Sequence, residues 1–148
     1  MSYYLETSAI LAGFLDGDAV MLERIHGEIL QQVPHTSALT FVEAIRSVRR
    51  ARAERRISSE RESDVLSMVE TLRSACAVFA LTPAVLHRAE QPFSDDLLRS
   101  LDALHVATAV ELRRELGGEW VVFATDQRVR RAAAGLGFRL EPPGLAHG

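Results

Sequence analysis

The sequence predicts a single α/β domain over residues 1–148, in which a mostly parallel central sheet is flanked by helices. Short apolar runs alternate with helical segments along the chain, which is the pattern of strands joined by helical crossovers. A length of 148 residues is enough to bury one core. No internal repeat, linker or low-complexity stretch divides the chain, so we expect one compact unit.

The first half of the chain contains two predicted strands and four predicted helices. In order they are the strand "YYL", a helix from about Ser8 to Leu15, a helix capped by Asp18 that reaches Ile29, the strand "VPHTSA", a helix from about Leu39 to Arg56, and a helix from about Ser59 to Ala75. Ser59 and Glu62 have the spacing of a capping box, which predicts that the last of these helices begins there.

The second half contains three predicted strands and three predicted helices. They are the strand "AVFALT", a helix that begins at Thr82-Pro83, the helix "FSDDLLRSLDALHVATAVELRREL", the strand "EWVVFAT", the helix "DQRVRRAAAGLG" and a last strand in "FRLEPPG". Proline at the first turn and glycine past the last turn are typical of helix boundaries.

The basic residues are unevenly distributed. The net charge is −3 and the chain contains no lysine, so every one of the 17 basic residues is arginine. Seven lie in "RSVRRARAERRISSER", including Arg46, Arg49 and Arg50. This run is either a solvated helix face or an edge that contacts phosphate, because guanidinium groups bind phosphate in a bidentate manner. The sequence alone does not distinguish the two.

Several features bear on the compartment. The apolar runs are too short to span a membrane, and the start of the chain does not have the pattern of a secretory signal. The single cysteine, Cys76, lies in the apolar run "CAVFAL" and is predicted to be a small core residue. One cysteine excludes an internal disulfide and fits a reducing environment, so we expect a cytoplasmic protein without a membrane partner.

Two carboxylates follow predicted parallel strands. Glu6 comes after "YYL" and Asp126 follows "VVFAT", so both are expected at the carboxyl edge of the sheet, where α/β proteins bind ligands. Each has a simpler explanation, since Asp126 could merely cap the next helix and Glu6 could face solvent. Thr7 or Ser8 could cap the first helix.

Two further carboxylates lie on largely apolar helices. Asp102 is in "LLRSLDALHVATAV" and Glu43 is in "SALTFVEAIRSVRR". A buried carboxylate needs a cation or a hydrogen-bond partner. A salt bridge from Asp102 to Arg99, or a position nearer the helix start, is the alternative for Asp102. A pair with Arg46 or Arg50 is the alternative for Glu43.

Four carboxylates that converge at one edge would repel one another unless a cation lies among them. Oxygen donors without paired Cys or His favour Mg²⁺ or Mn²⁺ over zinc. The five histidines show no ligand spacing, and His105 is interpreted as a packed helix residue. A signalling receiver domain is excluded by the absence of lysine. Nucleotide-binding α/β folds are disfavoured because neither glycine-rich phosphate motif occurs.

Four segments occur in this order along the chain: "YLETSAIL", "TSALTFVEAIRSVRR", "LRSLDALHVATA" and "FATDQRVRRAAAGLGFRLEPPG". Together they resemble the PIN-domain ribonucleases, and most closely the toxins of VapBC toxin–antitoxin pairs. The resemblance covers nearly the whole chain. It implies an acidic pocket that holds Mg²⁺ or Mn²⁺, endonucleolytic cleavage of RNA, a homodimer, and inhibition by a small antitoxin protein.

Carried over by position, the resemblance assigns the catalytic acids to Glu6, Glu43, Asp102 and Asp126. Glu6, Asp102 and Asp126 would hold the metal. Glu43 would complete the metal's ligand shell through a water molecule or help activate the attacking water. The resemblance also places three hydroxyl residues, Ser8, Ser37 and Thr125, around the pocket. Arg46, Arg49 and Arg50 are the predicted contacts to RNA phosphates or to the antitoxin.

The chain departs from the family pattern at two positions. The first acid is normally aspartate, and here it is Glu6. A hydroxyl often lies two residues before the fourth acid, and here that position is Ala124. Because Mg²⁺ requires near-octahedral geometry, a longer side chain at the first position can weaken the site. The alternative hypothesis is therefore a weakened or inactive homologue that binds an antitoxin or RNA without cutting.

Overall fold

A five-stranded parallel sheet forms the centre of the molecule. The computed structural model describes residues 1–144. The strands are β1 Ser2–Leu5, β2 His35–Ser37, β3 Ala77–Phe79, β4 Trp120–Phe123 and β5 Arg139–Glu141. They lie in the order β3-β2-β1-β4-β5, and each neighbouring pair is parallel. The predicted α/β class with a parallel sheet is confirmed; residues 145–148 of the predicted domain lie outside the described residues.

Seven α-helices flank the sheet within residues 1–144. They are α1 Thr7–Phe14, α2 Ala19–Arg24, α3 Ala38–Ala53, α4 Ser59–Ala75, α5 Pro83–Glu90, α6 Ser100–Leu116 and α7 Gln127–Gly135. The helix predicted to reach Ile29 is α-helical only to Arg24, after which a π turn and a 3₁₀ turn continue it to Gln32. Within residues 1–144 there is no helix with the length and apolar character needed to cross a bilayer.

The alternation of side chains along β1 divides the core into two layers. Tyr3 and Leu5 pack with Phe14, α3 and α4 on one face of the sheet. Tyr4 points to the other face and packs with residues of α6 and α7, including Val106 and Val129. Successive strand residues point to opposite faces, so an apolar strand such as β1 requires helices on both sides. This double burial is why β4 is apolar along its whole length.

The strand register places the functional loops at one edge. Leu5 at the end of β1 pairs with Phe123 at the end of β4. The next residues, Glu6 and Ala124, therefore leave the sheet side by side. β1 lies between β2 and β4, so the strands that follow it are added first on one side of it, as β2 and β3, and then on the other, as β4 and β5. A crevice at the carboxyl ends of β1 and β4 is the usual ligand site of such a sheet.

The predicted helix that carries Asp102 is shorter than expected. It does not begin near Phe93; α6 begins at Ser100. Asp95 instead forms a turn, in which its Oδ1 accepts a hydrogen bond from the Leu97 amide at 2.9 Å. Such local side-chain bonds compete with helix formation. Asp102 consequently lies in the first turn of α6, as the alternative reading of the sequence anticipated.

The capping box predicted at Ser59 is wrong by one residue. Ser58 is the N-cap of α4, and its hydroxyl accepts a bond from the Arg61 amide at 3.0 Å. With Ser58 as the N-cap, the third residue of the helix is Arg61 and not Glu62. Glu62 is therefore not at the position from which a capping-box glutamate bonds back to the N-cap amide. The cap predicted at Asp18 is confirmed, and the helix predicted to begin at Thr82-Pro83 does begin there, with Thr82 as its N-cap.

Candidate metal centre

Glu6 lies at the junction of β1 and α1 with its carboxylate turned inward. It is the N-cap of α1, so the prediction that Thr7 or Ser8 caps this helix is wrong. Its Oε2 accepts a 3.0 Å bond from the Ser8 amide and a second bond from the Ser8 hydroxyl. Only 4% of Glu6 is exposed. Burial raises the pKa of Glu6, against the opposing effects of His105 and of the bonds from Ser8.

Glu43 on α3 meets His105 on α6 beside this junction. Glu43 Oε1 accepts a 2.8 Å bond from the Thr7 hydroxyl and is in hydrogen-bond contact with His105 Nε2. His105 Nε2 is also 3.8 Å from Glu6 Oε1, and its Nδ1 is 2.8 Å from the Tyr4 hydroxyl. In residues 1–144, Glu6, Glu43 and His105 are the one group of three metal-ligating residue types whose donor atoms all lie within 4.8 Å of one another.

His105 is buried, as expected for a packed helix residue, but its role in joining two carboxylates was missed. Burial alone would lower the pKa of His105, whereas the bond to Glu43 and the charges of Glu6, Glu43 and Asp102 raise it, and the net shift is upward. A sequence signal was present, because His105 follows Asp102 by three residues and therefore shares its helix face. The spacing of histidines among themselves could not reveal this.

A separate, more open cleft lies next to the buried group. Its volume is roughly 400 Å³, and it is lined by Glu43, Asp102, Asp126, Arg99, Arg128, Ser100 and Leu101. Glu43 belongs to both the buried group and the cleft. Burial raises the pKa of Asp102, and the nearby charge of Asp126 raises it further. A carboxyl group whose ionisation is disfavoured by burial and by a neighbouring negative charge favours the binding of a cation beside it.

Asp126 both caps a helix and lines the cleft, so the two readings of this residue are compatible. Its Oδ1 accepts bonds from the amides of Arg128 at 2.9 Å and Val129 at 3.2 Å, at the start of α7. The predicted metal trio of Glu6, Asp102 and Asp126 does not form a group with donor atoms within 4.8 Å among the described residues. Glu43, Asp102 and Asp126 line the same cleft, although their donor atoms do not form a group within 4.8 Å in the described residues either.

The three predicted hydroxyl residues contribute in different ways. The Ser8 hydroxyl oxygen accepts bonds from the amides of Thr125 at 2.9 Å and Asp126 at 3.1 Å. Ser37 is buried and caps α3, where it accepts a bond from the Leu39 amide at 3.1 Å. Ser8 therefore joins the loops after β1 and β4, Ser37 fixes the start of the helix that carries Glu43, and Thr125 takes part through its backbone.

The arginines divide into two groups. Arg46 and Arg50 line an adjoining groove together with Glu43 and Leu101. Arg49 is exposed on the same helix. Arg99 and Arg128, which the sequence did not single out as phosphate contacts, lie in the wall of the cleft itself. The sequence could have indicated both residues, because Arg99 lies three positions before Asp102 and Arg128 lies two positions after Asp126.

Comparison with known proteins agrees with this geometry. A family model described as the PIN domain matches residues 3–135. The chain belongs to the PIN domain family. PIN domains form a nuclease superfamily that includes many metal-dependent ribonucleases, so the cleft lies on a nuclease fold. The carboxylates of this PIN domain supply oxygen donors of the kind that Mg²⁺ and Mn²⁺ prefer.

One solved structure shows how far the similarity extends. The crystal structure of PAE2754 from Pyrobaculum aerophilum aligns with this PIN domain with a TM-score of 0.57 and 18% sequence identity. The alignment covers 91% of this chain and 87% of the other. At this identity the likeness establishes the fold alone. Among curated proteins, no sequence matches this PIN domain significantly.

Proposed function

We propose that this protein is an endoribonuclease that requires Mg²⁺ or Mn²⁺. The observation that carries the proposal is that Glu43, Asp102 and Asp126 line one cleft at the carboxyl edge of a PIN-domain sheet. These three carboxylates contribute the oxygen donors that hold the ion, and Glu6 lies behind them. A bound divalent ion polarises phosphate and neutralises the charge that develops as the ester bond breaks.

The remaining groups of the cleft act on the substrate. Glu43 is the residue to which we assign proton transfer from the attacking water, and its position in the cleft wall supports this role. Arg99 and Arg128 face the same cleft and bind the phosphates on either side of the scissile bond. Arg46 and Arg50 extend this positive surface along α3, with Arg49 close by on the same helix.

The biological role we propose is that of the toxin in a type II toxin–antitoxin pair. The support is the resemblance of the sequence to VapC-type toxins. In this role the protein is a cytoplasmic homodimer and is neutralised by a small antitoxin. The exposed arginines of α3 are the positive surface on which acidic residues of that antitoxin would bind. A short reading frame beside the gene, whose product co-purifies with the protein and blocks cleavage, would test this role.

The proposed activity is tested by RNA cleavage with Mn²⁺ or Mg²⁺, in the presence and absence of EDTA. We expect cleavage to be lost with EDTA and in Asp102→Asn, while Asp64→Asn, an exposed position on α4, serves as the matched control. Glu6→Asp shows whether the longer side chain limits activity. Cleavage that persists in EDTA, or full activity in Asp102→Asn, contradicts the proposal.

A second candidate is a homologue that binds antitoxin or RNA without cutting. The inward position of Glu6 favours it, because that carboxylate is absent from the cleft lining. Calorimetric titration with Mn²⁺ separates the two candidates. Binding that depends on Asp102 supports the enzyme, whereas a protein that binds RNA but no Mn²⁺ supports the second candidate.

A further inference from the structure

We propose that His105 is a positioning residue, which fixes the Glu43 carboxylate at the cleft wall and pairs with Glu6 behind it. The ion is then held by Glu43, Asp102 and Asp126, and Glu6 does not contact it. This inference rests on the proposed function. It changes the role of Glu6 from the metal ligand that the sequence predicted to a buried residue that supports the cleft.

The first step is the chain of contacts behind Glu43. His105 is 1% exposed and bridges two polar groups, with Nδ1 at 2.8 Å from the Tyr4 hydroxyl and Nε2 in contact with Glu43 Oε1. An ionised carboxylate only accepts hydrogen bonds, so Nε2 carries the proton in this contact. Thr7 donates to the same oxygen of Glu43. Two donors from buried residues therefore define where this carboxylate lies.

The second step concerns the direction of Glu6. Its Oε2 accepts two bonds from Ser8, and its Oε1 faces His105 Nε2 at 3.8 Å. Both oxygens are thus directed at protein partners, and Glu6 is absent from the cleft lining. Ser8 in turn accepts the Asp126 amide. Glu6 consequently supports the loop that carries Asp126 instead of reaching into the cleft.

The third step is the place of His105 between two carboxylates. Glu6 and Glu43 approach the same nitrogen of one buried ring. The ring is hydrogen-bonded to Glu43 Oε1, beside the bond from Thr7, and lies close enough to Glu6 Oε1, at 3.8 Å, for a charge interaction. The Glu6 side chain brings Oε1 to within 3.8 Å of His105 Nε2. Glu6 is therefore linked to α6 through this histidine.

The test is calorimetric titration of the whole protein with Mn²⁺. Loss of a group that orients a ligand typically weakens metal binding about 10- to 100-fold, and we expect this for His105→Leu, which keeps bulk but no donor. His105→Gln, which retains a side-chain donor, should bind more tightly than His105→Leu. Asp102→Asn should show no saturable binding. Equal affinity in His105→Leu and the wild type overturns the positioning role.

A milder pair of variants covers the case in which His105→Leu does not fold. Tyr4→Phe removes only the hydroxyl that anchors Nδ1, and Tyr3→Phe removes the neighbouring strand hydroxyl, which donates to Glu28 at 3.0 Å on the other face. We expect weaker Mn²⁺ binding in Tyr4→Phe than in Tyr3→Phe. Identical Mn²⁺ affinities in the two variants overturn the inference, because the contact of the Tyr4 hydroxyl with His105 would then have no specific effect on metal binding.

Pulsed electron paramagnetic resonance of the bound Mn²⁺ decides which residues touch the ion. We expect no coupling to a directly bound nitrogen, and Glu6→Gln should retain saturable binding. A directly coordinated nitrogen, or loss of binding in Glu6→Gln equal to that in Asp102→Asn, overturns the inference while leaving the metal-dependent function in place. A wild-type protein that binds no Mn²⁺ overturns both.

Discussion

Ser8 and Asp126 lie 118 residues apart in the sequence and are joined by a 3.1 Å hydrogen bond from the Asp126 amide to the Ser8 hydroxyl oxygen. The same oxygen accepts the Thr125 amide at 2.9 Å. Because Ser8 also donates to Glu6, one hydroxyl links the end of β1 to the end of β4. The position of Asp126 in the cleft thus depends on Ser8, whose own side chain does not line the cleft.

Ser8→Ala should therefore loosen the loop that carries Asp126. Two amides lose their acceptor, and leaving a buried polar group unsatisfied costs about 1–3 kcal/mol. We expect a lower free energy of unfolding in urea together with weaker Mn²⁺ binding. Ser63→Ala, at an exposed position on α4, is the control. Unchanged stability and unchanged Mn²⁺ affinity would show that water replaces the hydroxyl.

Divalent metal should stabilise the folded protein. Binding at a concentration 100 times the dissociation constant adds about 2.7 kcal/mol, which raises Tm by about 5–10 °C in a domain of this size. Asp126→Asn should abolish the shift, and asparagine keeps the helix cap because it is as good an N-cap residue as aspartate. Differential scanning calorimetry with Mn²⁺ and with EDTA makes the comparison. An equal shift in the variant would remove Asp126 from the site.

Arg99 and Arg128 should govern RNA binding more strongly than arginines far from the cleft. Replacing both with glutamine removes charge from the cleft wall, so we expect a higher KM and a shallower dependence of binding on salt, by about 0.7 in the logarithmic slope for each lost phosphate contact. The control is Arg139→Gln, since Arg139 begins β5 at the opposite edge of the sheet. Equal effects at both sites would point to a general charge effect.

The Cys76 thiol should react slowly in the folded protein. Burial raises its pKa to about 12, so very little thiolate exists at pH 8, and the thiolate is the reactive form. We expect a disulfide reagent such as Ellman's reagent to modify the native protein far more slowly than the protein in urea. Rapid modification of the native protein would mean that the end of α4 opens readily.

Glu28, which is bonded to Arg24 and Tyr3, should make the free energy of unfolding depend on pH in the acid range. Hydrogen bonds from Arg24 and Tyr3 hold the pKa of Glu28 below its usual value. The ionised form is thus favoured by folding, so its contribution is present above about pH 4.5 and is lost as pH falls through the lower folded value.

Glu28→Gln should lower stability at pH 7 and leave it nearly unchanged at pH 3. The effect is below about 1 kcal/mol because the pair is partly solvated. Glu23→Gln, an exposed position on α2, is the control for urea unfolding at both pH values. A loss of stability that is the same at both pH values would assign the effect to packing.

The features that could be predicted from the sequence are those that depend on neighbouring residues. Apolar runs broken by helical periodicity identified the parallel sheet, and strand-end positions placed Glu6 and Asp126 at one edge. The start of α6 was mistaken because the turn at Asp95 competes with helix formation. The α4 cap was displaced because Ser58 and Ser59 are equally good cap residues by type.

The sequence by itself determined the fold class, because the alternation of short apolar runs with helical segments can be identified from residue order. It also indicated four candidate acids, of which Glu43, Asp102 and Asp126 line the cleft. Only the tertiary structure decided how those acids are used. Glu6 turns inward to Ser8 and His105, while Glu43 reaches the cleft from another helix. Side-chain direction and hydrogen-bond partners depend on which elements pack together, and partners such as Glu43 and His105 come from distant parts of the chain.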